Sequence, residues 1–187
     1  MDMTRFDVAQ IAAMDRAAFV ERFGGIFEHS PWVAERAFDA GPFADAWALH
    51  KVMVAVVDAE PRERQVMLLC AHPDLAGKEA SEGSMTSSSV AEQSSAGLDR
   101  LTHDELQRIG TLNAEYRARH GFPFIIVVRH YTKEGILHEF ERRLASDTAT
   151  ELRAALAQVY AITWLRVQRL LAADAAPPIR NPQGTTA

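Results

Sequence analysis

Gly121-Phe122-Pro123-Phe124-Ile125-Ile126-Val127-Val128-Arg129 is the stretch whose reading decides the fold. Residues 122–128 form an apolar run of aromatic and β-branched side chains. By pattern alone this is a buried strand or a buried extended segment. A strand needs a partner, and this chain of 187 residues has no second run to pair with it. The segment is therefore expected as extended backbone crossing a helical bundle. Pro123 lacks an amide hydrogen, and Gly121 permits a sharp turn. The amides and carbonyls of residues 124–128 must then find partners outside any helix.

Outward from this segment the punctuation is helical. A helix is predicted from about Asp104 to His120, with Leu106, Ile109, Leu112 and Tyr116 on one face and Gly121 as its C-terminal stop. Helices resume over Lys133 to Leu144 and from Thr148 to about Ala173. The second of these is opened by Thr148-x-x-Glu151, a capping-box pattern. Toward the N-terminus, Phe19, Val20, Phe23, Ile26 and Phe27 fall at helical spacings, with Gly24-Gly25 as an interruption. Ser30-Pro31 predicts a helix start, serine as N-cap and proline at the first helical position. Another helix begins near Asp45 with an apolar stripe of Trp47, Leu49, Val52, Met53 and Val56. Pro61 starts the next, which ends near Ala71, ahead of Pro73. Residues 79–88 are expected to form a mobile Ser-rich loop, followed by a helix from about Ser89. The sum is an all-α, single-domain helical bundle over residues 1–174, with one extended segment crossing near the active site. A disordered tail is expected over 175–187.

Composition narrows the function classes. The 48% hydrophobic and 24% charged fractions are those of an ordinary globular domain, and the formal net charge is −5. That acidic balance argues against a nucleic-acid partner. No apolar run is long enough to span a bilayer. Cys70 is the only cysteine, so neither an intrachain disulfide nor a cysteine-based zinc site can form. It is expected as a buried thiol. The histidines show no metal-ligand spacing, and no metal site is expected. Trp32, Trp47 and Trp164 are expected in the core, and Arg142-Arg143 and Arg117 with Arg119 on solvated helix faces. With no secretion signal in view, the expected setting is the cytoplasm.

Three stretches carry chemistry. His72, in His72-Pro73-Asp74-Leu75-Ala76-Gly77, lies at a helix C-terminus, where exposed carbonyls should favour imidazolium and raise its pKa. It is either a proton-transfer group or a cap for those carbonyls. In Ser89-Val90-Ala91-Glu92-Gln93, Ser89-x-x-Glu92 reads as a capping box. Equally, Ser89, Glu92 and Gln93 share one face of a first helical turn and can present polar groups to a ligand. Residues 124–128 offer backbone groups to an amide-rich ligand. Arg129 can clamp a carboxylate or lie at the bundle surface.

On these residues the chain resembles the 2-oxo-4-hydroxy-4-carboxy-5-ureidoimidazoline (OHCU) decarboxylases, which form allantoin from a urate oxidation product. The resemblance runs from about Phe19 to Leu171. It rests on Phe27-Glu28-His29-Ser30-Pro31-Trp32-Val33-Ala34-Glu35, residues 71–77, 92–98 and 121–128, and Leu112-Asn113-x-x-Tyr116. It departs at Met85, where leucine is common, and in the Ser-rich loop. The resemblance implies an all-helical carboxy-lyase without cofactor, often dimeric, so a homodimer is expected. It implies a small ureidoimidazoline as the partner, with neither nucleic acid nor membrane. The missing peroxisomal tail of animal members points to a bacterial cytoplasmic setting. His72 and Glu92 carry over as catalytic. Pro73, Ser89, Val90, Ala91, Glu92, Gln93, Phe124, Ile125, Ile126, Val127, Val128 and Arg129 carry over as substrate-binding. A non-catalytic helical binding module, or a decarboxylase relic using the same groove, is the alternative.

Overall fold

A computed structural model describes residues 8–77, 83 and 85–174. Half of the expected loop 79–88 and the whole tail 175–187 lie outside the described residues. The helices are α1 (Val8–Ala12), α2 (Arg16–Phe23), α3 (Trp32–Phe38), α4 (Ala46–Asp58), α5 (Arg62–Cys70), α6 (Ser87–Ser95), α7 (His103–His120), α8 (Lys133–Leu144) and α9 (Thr148–Asp174). A 3₁₀ turn spans Val128–His130. Among the described residues there is no strand, and the fold is all-α. The long helix α9 packs on α4, α5 and α7, while α6 packs on the 3₁₀ turn. These two contacts bring the three chemical stretches together.

Residues 123–127 run outside any helix, Val128 opens the 3₁₀ turn, and every residue of 122–128 is buried. Gly121 ends α7 with φ +84°, a left-handed cap that turns the chain inward. Side chains replace the missing strand partner. Gln158 Oε1 accepts from the Val127 amide at 2.9 Å, and Arg143 Nη1 donates to the Ile125 carbonyl at 2.7 Å. Phe124 stacks on Phe140 with centroids 3.9 Å apart, and Tyr116 meets its edge at 5.3 Å. Burying each such ring contributes about 1.5–3 kcal/mol, which outweighs the loss of regular backbone pairing.

Several expectations are corrected by position. Ser30-Pro31 sits one step early: Pro31, already helical in backbone, precedes α3, and Ser30 makes no capping bond. Thr148-x-x-Glu151 is not a capping box. Asp147 caps α9 by accepting from the Thr150 amide at 2.9 Å, and Glu151 is pulled inward. A capping box does form at Thr102 and Glu105, ahead of α7. Leu106 and Trp47 are exposed, Trp47 at 49%, stacked on His50 and meeting Trp164 edge-on. Cys70 is exposed as well, with Sγ 3.4 Å from the Gly121 carbonyl. The apolar run around Cys70 misleads because, of α5, only Leu68 and Leu69 are buried. Arg143 is not solvated. It is 4% exposed, paired with Glu151, lies 4.5 Å over the Phe124 ring, and shares Glu151 with the Tyr116 hydroxyl.

Candidate active site

His72 follows the C-terminus of α5. Its Nδ1 lies 3.1 Å from the Leu68 carbonyl, which can only accept, so Nδ1 carries the hydrogen. Nε2 is then an unprotonated acceptor. It is buried without a hydrogen-bond partner, and His72 lines the pocket. The helix-end carbonyl raises the His72 pKa as expected, but burial outweighs it. Loss of hydration pushes the imidazole down to about 4, with Glu28 pulling the other way. The expected raised pKa is therefore corrected: His72 is neutral at physiological pH.

Helix α6 begins at Ser87, two residues before the expected start. Thr86 is its N-cap, accepting from the Ser89 amide at 3.3 Å. The Ser89-x-x-Glu92 capping box is thus absent, because a neighbouring threonine takes the capping position. That leaves both side chains free to face inward. Ser89 Oγ donates to Glu28 Oε1 at 2.9 Å, beside Thr86 Oγ1 at 2.7 Å. Glu92 takes a bidentate pair from Arg166, Nε to Oε1 at 3.0 Å and Nη2 to Oε2 at 2.8 Å. Arg166 Nη1 also reaches Glu28 Oε2 at 2.7 Å and the Ile26 carbonyl at 3.4 Å. Its Nη2 reaches Ser89 Oγ at 3.1 Å. All five donors of the guanidinium are therefore used. Burial pushes the Glu28 carboxyl up, but Arg166 and the two hydroxyls outweigh it and hold the pKa below the ordinary value. Gln93 clamps the His72 loop: its Oε1 accepts from the Ala76 amide at 2.9 Å and its Nε2 donates to the Asp74 carbonyl at 3.2 Å.

These groups line a half-open pocket of about 570 Å³, solvent at its mouth included. The structure gathers His72, Pro73, Ser89, Glu92, Gln93, Phe124, Ile125, Ile126, Val127, Val128 and Arg129 around it. Val90 and Ala91 are not among them. They point outward on α6 and are exposed. The Ile126 amide and carbonyl, on the pocket wall, meet no hydrogen-bond partner among the described residues. Leu75, Ile162 and Leu165 supply apolar lining. Arg129 and Arg169 line the pocket with no ion pair among the described residues. Their two charges exceed the one carboxylate charge that Arg166 leaves unbalanced, so the pocket favours an anion. Among the described residues no group of three or more His, Cys, Asp or Glu is placed to hold a metal, and no helix is long and apolar enough to cross a membrane.

Sequence reasoning missed Glu28, Arg166 and Arg169. A signal existed for Arg166. It continues the buried face of Val159, Ile162 and Thr163 on α9, where a cation needs buried partners. Its partners were not legible, since Glu28 lies 138 residues away.

Comparison with known proteins places this arrangement. A family model described as OHCU decarboxylase matches residues 12–168. A human protein named putative 2-oxo-4-hydroxy-4-carboxy-5-ureidoimidazoline decarboxylase is 42% identical over 91% of this chain and 98% of its own length. A Haloferax volcanii protein named 2-oxo-4-hydroxy-4-carboxy-5-ureidoimidazoline decarboxylase is 42% identical over 88% of this chain and 96% of its own. A crystal structure of an (S)-allantoin synthase superposes with TM-score 0.70 at 32% identity. It covers 87% of this chain, which spans about half of that protein (53%). A structure of OHCU decarboxylase in the presence of (S)-allantoin shares the fold, with TM-score 0.61 at 22% identity over 75% of this chain and 91% of that one.

Proposed function

Since the chain belongs to the OHCU decarboxylase family, we propose that it decarboxylates 2-oxo-4-hydroxy-4-carboxy-5-ureidoimidazoline to (S)-allantoin in urate degradation, without a cofactor. The substrate carries its own electron sink, an imine carbon (C5) beside the carbon (C4) that bears carboxylate and hydroxyl. When the bond to carbon dioxide breaks, its electron pair forms a C4=C5 double bond and the imine nitrogen takes up charge and a proton. The hydroxyl proton must then leave C4 and a proton must arrive at C5. The protein has to orient the carboxylate, hold the ring and protonate one face.

The observation that carries this reading is the unpartnered Nε2 of neutral His72 at the pocket wall. Such an atom suits removal of the hydroxyl proton and delivery of a proton to C5. Glu28 beside it stabilises the imidazolium formed in between. Glu92, tied to Arg166, is assigned to holding polar substrate groups rather than to moving the proton. Ser89, Gln93 and the Ile126 backbone hold the ring and ureido group. Arg129 and Arg169 attract the carboxylate. Val90 and Ala91 are left out, since their side chains face solvent. We include in this proposal a cytoplasmic setting, which suits a chain with a single free thiol, and a homodimer, to be checked by light scattering.

The test generates the unstable substrate with urate-oxidising enzymes and follows chirality by circular dichroism. The native protein should give fast, optically active allantoin, while His72→Ala and Glu92→Ala keep the helical spectrum and lose the acceleration. Slow racemic product with the native protein would point instead to a binding module, and native-like rates in either variant would remove that residue from its role.

A further inference from the structure

We propose that the same pocket exchanges the C5 hydrogen of (S)-allantoin with solvent while retaining its configuration, an activity separate from decarboxylation. The inference rests on the functional reading above for the ligand, and on the pocket's inventory of acceptors for the stereochemistry.

The resting protein is already set for proton removal. His72 Nδ1 is committed to the Leu68 carbonyl, which leaves Nε2, buried with no partner, as the open ring nitrogen of a residue that lines the pocket. Allantoin's C5–H lies next to the C4 carbonyl and between two nitrogens. Its loss gives the same C4=C5 framework that decarboxylation gives. The step balances within the complex: the C5–H bond breaks, its pair forms the C4=C5 double bond, the C4 carbonyl oxygen takes the negative charge, and Nε2 takes the proton. The imidazolium so formed sits in the field of Glu28. Return of a solvent-derived hydron to C5 restores allantoin and neutral His72, with no net change in redox state.

Retention follows from the absence of a second free base among the described residues of the site. Glu92 and Glu28 are the other carboxylates at the site among the described residues, and each has both oxygens engaged: Glu92 by the bidentate Arg166 pair, Glu28 by Arg166, Thr86 and Ser89. The Ser89 hydroxyl donates to Glu28 and accepts from Arg166. Arg129, Arg166 and Arg169 cannot accept a proton. Leu75, Ile162 and Leu165 supply only apolar surface. One base removes and returns the hydron on one ring face. The exposed Arg129 at the rim marks the side by which solvent reaches the pocket.

The experiment incubates (S)-allantoin with the native protein in deuterium oxide. Proton NMR follows the C5–H signal and circular dichroism follows configuration, with (R)-allantoin and His72→Gln in parallel. The expected result is loss of the C5–H signal about 100-fold or more above buffer, the scale of general-base catalysis. The dichroism of (S)-allantoin should be unchanged over that time. The (R) enantiomer and the His72→Gln protein should match buffer. No exchange above buffer overturns the inference, as does exchange accompanied by racemisation at the same rate. A parallel decarboxylation assay separates the two readings. Fast formation of optically active allantoin without exchange removes only this inference, whereas loss of both removes the functional reading with it.

Discussion

Replacing Arg166 with methionine tests the central ion cluster. The side chain keeps comparable length and apolar bulk, but five hydrogen bonds vanish. Glu28, 1% exposed, keeps only its two hydroxyl donors, and Glu92 loses both bonds that held it. Removing one partner of a buried charge pair costs about 3–5 kcal/mol, because a desolvated charge is left behind. Against a total stability of roughly 5–15 kcal/mol, the variant should still fold, with a much lower urea midpoint. The pH dependence carries the sharper signature. In the native protein the Glu28 pKa is lowered, so its contribution is present above the unfolded value of about 4.5 and is lost as pH falls through the folded value. Without Arg166, burial is opposed only by the hydroxyls, and the Glu28 pKa should rise above 4.5. Stability then declines as pH climbs from the unfolded value through that raised one, by about 1.4 kcal/mol for each pH unit between them. The deficit should therefore shrink between about pH 7.5 and pH 5. Urea titrations followed by far-UV circular dichroism at both pH values measure it. A variant within about 1 kcal/mol of native at neutral pH, with an unchanged pH slope, would refute the reasoning.

Four further outcomes are expected. The plot of kcat/KM against pH should show no inflection near 6.5, because the free-enzyme His72 pKa is depressed to about 4. A histidine-like limb near 6.5 would mean that His72 is hydrated. By the same linkage, a lowered histidine pKa means that folding stability contributed by neutral His72 is lost as pH falls from about 6.5 toward 4, which acid titration of the fold can follow. Gly121→Ala should cost about 1–2 kcal/mol in thermal or urea unfolding. The cost is conformational, since φ is +84° and a Cβ there meets nothing within 4 Å; a neutral effect would show that the left-handed cap is dispensable. Cys70 should react with one equivalent of a thiol reagent without denaturant, since it is exposed, and reaction only after unfolding would contradict that placement.

The helical architecture was legible because it is written in local signals. Asp45 caps α4, Gly121 ends α7 and Pro61 precedes α5. Each acts within a few residues, so sequence spacing suffices. Where two capping patterns compete within three residues, spacing fails. Thr86 displaces Ser89, and Asp147 displaces Thr148. The displaced patterns are the informative ones, because Ser89 and Glu151 then become buried polar partners of arginines on other helices. Exposure was the other weak point. Trp47 and Cys70 are apolar types on amphipathic helices, and a one-residue rotation decides which side they occupy.

By itself the sequence determined that the chain is helical, that the apolar run at residues 122–128 crosses it outside any α-helix, and that His72, Ser89, Glu92 and Gln93 sit at helix ends able to present polar groups. Only the tertiary structure decided what those groups are. Packing of α9 against the rest of the bundle brings Arg166 between Glu28 and Glu92, tying both carboxylates to one guanidinium. Burial of His72 reverses the expected effect of its helix end and leaves a neutral imidazole with one free nitrogen. The physical reason is range. Helix periodicity and capping are set by neighbours along the chain, whereas desolvation and charge pairing depend on groups that only the folded chain brings together.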